Sequence, residues 1–519
     1  AFPCPSPPTS AGKACSMLTS LVLILVLLLI LYRHYARANQ YWAKRCIPGP
    51  KPILLFGNIL KYSSFYTPRS LVLKQWTQQY GKVYGLLEGQ RRVLVVSDLN
   101  MLDEILNKKF ECFSARARFP LQRSHETERT HIMEATGRHW KRIRAISSHA
   151  FTNNSLKKVR NRIDASAIEC VERMKGIRGE FNIHEFFQEY AMHVICKIAL
   201  GKKDVKMFEN PFTSHCKNVF SKSLGNPVNL IPCLFPFSIV SDCMISTLEG
   251  LGKLLRHPFM QMIDDLEEIV MKRKQERNKA ASSTFDFIDI FLDAESEMSF
   301  DEKDVNSVTD KKLTLQEIVR LCMIFVFAGF ETTAHSLGYA LHFIANHPNV
   351  QEKLFDEIHN VFPQNEIDLD NLGELVYMDA FIKEALRHYP VASIAVTREC
   401  VQATNICGYE MKEGDKMYTD TWSMHMDKDV WGEDAEEFRP ERFLEEPARP
   451  RVAFQAFGEG PMMCLGMRLA YMEEKIILLR LLKTFKVNKT EHTNPLTCVG
   501  SLTVSPEKVV VQLERRIDM

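Results

Sequence analysis

Phe457-Gly458-Glu459-Gly460-Pro461-Met462-Met463-Cys464-Leu465-Gly466 is the stretch on which the reading of this chain turns. Gly458, Gly460 and Pro461 make a tight, non-helical loop. A cysteine follows, directly before an amphipathic helix predicted from near Leu465 to near Thr484. A helix N-terminus carries partial positive charge and free N–H groups. A thiol there is expected to ionise more readily, and glycine lets backbone N–H groups approach the sulfur closely. A thiolate held this way can serve as an axial ligand to haem iron, where its electron donation favours O–O cleavage. A lone cysteine beside a turn would read as structural; here the whole frame has to be explained.

Around that loop lies an ordinary globular chain of 519 residues, 45% hydrophobic and 25% charged. This excludes a disordered, collagenous, coiled-coil or polytopic membrane protein. Lysine plus arginine exceed aspartate plus glutamate by only two, 66 against 64, so no strong field draws in nucleic acid. The 14 cysteines show no C-x-x-C and no regular spacing, which argues for reduced thiols rather than a disulfide framework. No glycine-rich phosphate loop or G-x-G-x-x-G between strand and helix occurs.

The N-terminal run LTSLVLILVLLLILY, Leu18 to Tyr32, is followed by Arg33, His34, Arg37, Lys44 and Arg45. A cleaved signal would end at a small-residue site; this run ends in bulky, basic residues. Residues 17–33 are therefore expected to be an uncleaved anchor, with the charges after the span holding the remainder in the cytosol. Residues 1–16, rich in Pro, Ser and Ala, are expected to be a non-native or disordered leader. Residues 34–52 read as a basic linker closed by the stiff IPGPKP. Residues 53–519 form one large domain.

Within that domain VYGLLEG (83–89) and RRVLVVSD (91–98) read as a strand pair. The chain from about Leu102 to Asp293 is mainly helical. The apolar, proline-broken segment 223–240 is either a core loop or a second membrane-touching patch. Residues 294–312 read as a solvated loop. A long apolar helix is predicted over about Thr314–Asn346, ended by His347-Pro348. Further helices run to His388, short strands fill 391–420, and 509–516 is a strand.

Four further groups carry chemistry. In the long helix, Ala328 and Gly329 leave room for a flat ligand and O₂. Thr332 can back-bond to the i−4 carbonyl, and Glu331 beside it could relay protons. Glu384 and Arg387 share a helix face and can pair. Trp140 and Arg144, four apart, put an indole N–H and a guanidinium on one face, donors suited to a carboxylate. Arg398 lies in VTREC, beyond the Glu384 helix.

The loop resembles the haem-binding loop of the cytochrome P-450 superfamily, the haem-thiolate monooxygenases, whose pattern is F-x-x-G-x-R-x-C-x-G. Phe457, Gly460, Cys464 and Gly466 match; Met462 stands where the family has an arginine that contacts a haem propionate. AGFETT, E-x-x-R, FRPERF around Arg442 and W-x-x-x-R follow the family's order and spacing, and the resemblance covers Ile47 to the C-terminus. It is strongest to the microsomal clade that oxidises drugs, steroids and other lipophiles.

The resemblance implies a mainly α fold with a smaller β region (α+β), shaped as one triangular domain. It implies haem b with Cys464 as axial thiolate, cradled by Ala328, Gly329, Phe457, Gly458, Gly460 and Gly466. Trp140, Arg144 and Arg398 would hold propionates. Glu331 and Thr332 would activate oxygen, and Glu384, Arg387 and Arg442 would form a buried structural network. The pocket is expected from Ile324, Phe325, Ala328, Ile394 and Leu502, with the loop near Arg123. The implied partners are O₂, a lipophilic substrate (xenobiotic, steroid or fatty acid), the membrane, an NADPH-dependent flavoprotein reductase and a cytochrome b-type donor. NADPH acts only through the reductase, for which Lys141 and Arg142 are docking candidates. The implied location is the endoplasmic reticulum membrane with the catalytic domain on its cytosolic face. Two rivals are a haem-thiolate isomerase or dehydratase acting on a peroxide without a reductase, and a non-catalytic haem-binding membrane protein, prompted by Met462.

Overall fold

The computed structural model describes residues 10–62, 67–118, 122, 126–222, 231, 238–255, 257–279, 286–295, 312–363, 367–445, 449–500 and 503–516. Helix α1 spans Ser10–Asn39, crossing both boundaries expected for leader and anchor. No proline interrupts it, whereas Pro5, Pro7 and Pro8 lie just upstream. Its Met17–Asn39 portion is long and apolar enough to cross a bilayer, and its central window is wholly unburied. At 1.5 Å per residue these 23 residues reach about 35 Å, against a hydrocarbon core of about 30 Å.

The segment after α1 is fastened to the body rather than free. Trp42 and Ile47 are buried, and the Trp42 indole donates to the Leu86 carbonyl at 2.9 Å. The Tyr41 hydroxyl donates to Asp415 at 3.0 Å, and Arg92 pairs with the same carboxylate at 2.6 Å. Two apolar side chains in a basic, proline-rich stretch explain why it docks.

A four-stranded sheet receives this segment. Its strands are β1 (Val83–Glu88), β2 (Arg91–Val96), β3 (Thr397–Glu399) and β4 (Lys416–Thr419), in the order β1-β2-β4-β3. The β1–β2 hairpin turns at Gly89-Gln90, as its alternation predicts, with Glu88 opposite Arg91. β2 and β4 run parallel, Val93 opposite Lys416, which joins the two ends of the domain. The strand at 509–516 is found as Val510–Arg515 and pairs with Glu180–Asn182 inside the mainly helical region.

The remainder is helical, and six helices position the site: α2 Gly137–Ser148, α3 Ile183–Ile198, α4 Pro211–Lys222, α5 Leu315–Asn346, α6 Val376–His388 and α7 Met467–Thr484. The long helix α5 runs through the main core. Its start was legible: Thr314 and Glu317 form a reciprocal capping box, and His347 ends it before Pro348. Of the segment 223–240 and the loop 294–312, residues 223–230, 232–237 and 296–311 lie outside the described residues.

Glu317 also welds α5 to α2. His139 meets Glu126 through Nδ1 at 2.5 Å and Glu317 through Nε2 at 2.8 Å; Arg142 donates to the Glu317 carboxylate at 2.6 Å. Burial opposes the charged imidazole, but the hydrogen bonds to Glu126 and Glu317 raise its pKa overall. Burial likewise opposes both carboxylates, yet their bonds to His139, with Thr136 or Arg142, lower them. His139 therefore stabilises the fold fully below its unfolded pKa of about 6.5, and the contribution fades as pH rises through the higher folded value. The carboxylates contribute above about 4.5 and lose it on acidification. His139→Gln is expected to cost about 2 kcal/mol at pH 6, with the deficit narrowing toward pH 9. Thermal unfolding of both proteins at each pH checks this; a deficit constant with pH would refute it.

Candidate active site

Backbone hydrogen bonds close the loop before α7. The Gly458 N–H donates to the Gln455 carbonyl at 3.0 Å, Met463 to Gly460 at 3.0 Å, and Cys464 to Phe457 at 2.9 Å. Gly460 has φ +77°, and a Cβ there would lie 2.3 Å from the Leu106 carbonyl oxygen. Only glycine meets both conditions. The Phe457 ring packs 5.2 Å from that of Tyr471 on α7, and Gly466 forms the N-terminal boundary of that helix.

The Cys464 sulfur receives the N–H groups of Gly466 and Met467 and the fields of Arg144 and Arg116, all favouring thiolate. Burial outweighs them, and the thiol pKa is raised. This corrects the expectation from the helix terminus alone, because dehydration of a sulfur inside the protein is the larger effect. The residue nevertheless keeps accessible surface, so part of it fronts open space. On α5, Ala328 is exposed between buried Phe327 and half-buried Gly329. Thr332 donates to the Ala328 carbonyl at 2.6 Å, the i−4 bond its position predicts.

Three guanidiniums surround this space. Arg144 donates to the Met463 carbonyl at 2.7 Å and lies over the Trp140 ring at 5.6 Å, which bears out the shared face. Arg398 donates to Thr397 and Glu459 carbonyls. The third, Arg116, belongs to no motif in the sequence. It donates to the Ile132 and Met462 carbonyls at 3.4 and 3.2 Å. Glu399 N–H donates to Ala115 O at 2.8 Å, and this bridge from β3 places Arg116 beside Arg398. Burial and mutual repulsion lower all but Arg144 in concert: Arg398 to about 9, through Arg116 and Arg144, and Arg116 to about 10, through Arg144. Arg144 is lowered by burial.

Every hydrogen-bond partner these three arginines show among the described residues is a carbonyl. The Trp140 Nε1 and Arg398 Nε atoms are buried with no hydrogen-bond partner among the described residues. Buried orphan donors beside clustered cations are costly, and a dianionic group relieves both. The residues present thus fit the two propionates of a haem whose iron faces Cys464. Met462 is buried in the apolar core, so the family's arginine position is filled by packing, and Arg116 holds its backbone. Arg116→Met is expected to speed haem loss by about 10–100-fold, the loss of one charge-assisted bond of about 1.5–3 kcal/mol. Transfer to an apo-globin acceptor measures it; an unchanged rate would show that Arg116 holds no propionate.

The Glu384 network is found buried throughout, with Glu384, Arg387 and Arg442 fully enclosed. Arg387 forks onto Glu384 at 2.8 and 2.9 Å, and Arg442 joins at 3.0 Å. Burial pushes the Glu384 carboxyl up, but bonds from Arg387 and His388 hold it down to about 2. Two residues that carry no motif link this network to the loop. Arg387 donates to the His425 carbonyl at 2.7 Å. The His425 Nε2 accepts the Gln455 N–H at 2.9 Å, and Gln455 holds Gly458. His425 is kept neutral by burial and by Arg387, its pKa lowered to about 3.

Several expected site residues sit elsewhere. Gly329 is half-buried, and a Cβ there would lie 2.9 Å from Ile195 Cδ1, so its smallness lets α5 and α3 pack closely. Phe325 is buried among Phe151, Phe287 and Phe291 rings, at centroid distances of 5.4, 6.3 and 5.8 Å, and is core rather than pocket wall. Ile324 is half-buried on the Ala328 side. Arg123 and Leu502 lie outside the described residues, as does the Ile394 side chain. Arg142 is engaged by Glu317 and is not free for docking, whereas Lys141 is exposed beside Glu111 at 3.5 Å.

Comparison with known proteins places the whole folded part in one group. Residues 47–513 match the family model described as Cytochrome P450. The chain is 39% identical over 503 residues to the "Putative cytochrome P450 CYP13A2" of Caenorhabditis elegans, covering 93% of this chain and 96% of that protein. It is 34% identical over 531 residues to the "Putative cytochrome P450 CYP13A3" of the same organism, covering 96% and 99%.

Proposed function

This chain belongs to the cytochrome P450 family, and on that premise we propose that it is a membrane-anchored monooxygenase. It inserts one oxygen atom of O₂ into a lipophilic small molecule of the xenobiotic, steroid or fatty-acid class. Electrons come from an NADPH-dependent flavoprotein reductase, with a cytochrome b-type protein as an additional donor. The anchor, Met17–Asn39, holds the catalytic domain on the cytosolic face of the endoplasmic reticulum. The observation that carries the reading is the accessible Cys464 residue, near three arginines whose partners among the described residues are all carbonyls and a buried Trp140 donor with none there.

Haem b, when bound, supplies the electron storage and oxygen activation that side chains lack. Cys464 gives it a thiolate, since a metal deprotonates its coordinating thiol outright despite a raised intrinsic pKa. Trp140, Arg116, Arg144 and Arg398 hold its carboxylates. Ala328 leaves the distal side open, and Thr332 presents a hydroxyl there for proton transfer. Reduced protein under CO is expected to give a thiolate-type band, and NADPH consumption with the reductase is expected to rise with a lipophilic probe. A peroxide substrate turned over without NADPH would favour an isomerase, and a haem band with no turnover would favour a non-catalytic role.

A further inference from the structure

One buried cluster on the far side of Glu331 from the haem space is unused by this reading. His335, one turn along α5, faces Glu331 Oε2 through Nε2 at 3.5 Å. Its Nδ1 meets Nε2 of His184, at the start of α3, at 3.0 Å. All three side chains are buried. The Thr503 hydroxyl donates to the same Glu331 oxygen at 3.0 Å, and Ser505 lies 3.4 Å from His335 Nδ1. Gly338, a turn beyond His335, makes room for the histidines and the short hairpin: a Cβ there would lie 3.2 Å from the His184 ring and 3.0 Å from Pro506.

One arrangement of protons fits the imidazole pair. His184 Nε2–H donates to His335 Nδ1, which leaves the proton on His335 Nε2; that atom is buried and makes no hydrogen bond among the described residues, with the Glu331 carboxylate 3.5 Å away. An imidazole engaged at both nitrogens can take a proton at one and release another from the other. The remaining charged or ionisable groups facing the line are Lys217 of α4, which acts electrostatically on His184, and Cys216 of α4, which feels Glu331.

We propose that His184 and His335 form a proton-supply line that reloads Glu331 for each oxygen insertion. The idea rests on the monooxygenase reading and extends it. Insertion consumes two electrons and two protons: RH + O₂ + 2e⁻ + 2H⁺ gives ROH + H₂O, the electrons coming from NADPH through the reductase. Glu331 hands a proton toward the Thr332 hydroxyl by turning away from Thr503. A proton from water enters at His184 Nδ1 as the His184 Nε2–H passes to His335 Nδ1 and the His335 Nε2–H, closing its 3.5 Å gap, passes to the carboxylate; both rings then turn to restore the starting tautomers before the second proton follows. The two histidines touch neither substrate nor haem and act through Glu331, as positioning residues.

The test compares two oxygen sources in the full-length protein, reconstituted with reductase in phospholipid vesicles, using an alkoxycoumarin as probe. His335→Gln and His184→Gln keep a polar side chain of similar reach that cannot relay. With NADPH and O₂, product per NADPH is expected to fall at least about tenfold, less than the about 10²–10⁴-fold of a positioned proton donor because Glu331 and Thr332 remain, with the electrons recovered as hydrogen peroxide. With cumene hydroperoxide, which delivers its oxygen already reduced, turnover is expected to stay near wild type, as is the CO band. In protein carrying ¹⁵N-labelled histidine, His335→Gln is expected to shift the His184 ring nitrogens. Equal loss by both routes in both variants would mark a structural role and overturn the proposal, as would unchanged coupling or unmoved His184 resonances. A wild-type protein without the thiolate band would instead overturn the monooxygenase reading, and this proposal with it.

Discussion

Cys464→Ser is expected to remove the thiolate-type CO band and to lower monooxygenation by more than about 10³-fold, equivalent to at least about 4 kcal/mol of barrier. The reason lies in what the loop supplies. Its N–H groups from Gly466 and Met467, with Arg116 and Arg144 nearby, stabilise negative charge at one point, and only sulfur can occupy it as an electron-rich iron ligand. A serine hydroxyl fits the space but resists ionisation, so the electron donation that favours O–O cleavage is lost. The fold should survive, because the loop is closed by backbone bonds from Gly458, Met463 and Cys464 N–H groups that serine retains. The Soret and CO spectra, probe turnover and thermal unfolding of the variant are the measurements. Retention of both band and turnover would refute the assignment of Cys464.

Glu384→Ala is expected to yield little haem-loaded protein and to destabilise the domain by about 3–5 kcal/mol, the usual effect of removing one member of a buried charge cluster. Here it leaves two fully enclosed guanidiniums, Arg387 and Arg442, without their shared carboxylate. The disturbance has a defined route to the haem loop, through His425 and Gln455 to Gly458. The same group gives a pH signature. Its pKa of about 2 lies below the ordinary carboxyl value of about 4.5, so its stabilising contribution is complete above about 4.5 and disappears as pH falls toward 2. The wild type should therefore lose stability across that window more steeply than Glu384→Gln, as read by denaturant unfolding at each pH. Normal haem content in Glu384→Ala would show that the network does not hold the loop.

Local signals and long-range packing contributed differently. The N-terminus of α5 could be read because its capping box lies within four consecutive residues, and its end because proline cannot continue a helix. The pairing of Trp140 with Arg144, and of Glu384 with Arg387, followed from helical spacing alone. Arg116 could not be found this way. It reaches the site because β3 bridges to Ala115 across nearly three hundred residues of chain, and a lone arginine carries no periodic signal. The same holds for His425, Gln455 and the His184–His335 contact, each of which joins separate elements. Phe325 shows the opposite error: the resemblance implied a pocket wall, whereas the rings of Phe151, Phe287 and Phe291 enclose it in the core.

The sequence by itself determined the order of the motifs, the apolar N-terminal helix and the membership of the chain in a mainly helical family, because these depend on residue type at fixed short spacing. Tertiary structure alone decided that the thiol is raised rather than lowered, which arginines converge on the carboxylate site, and what lies behind Glu331. Those outcomes depend on dehydration and on electrostatic contacts between segments far apart in the chain, and both exist only once the core has closed around them.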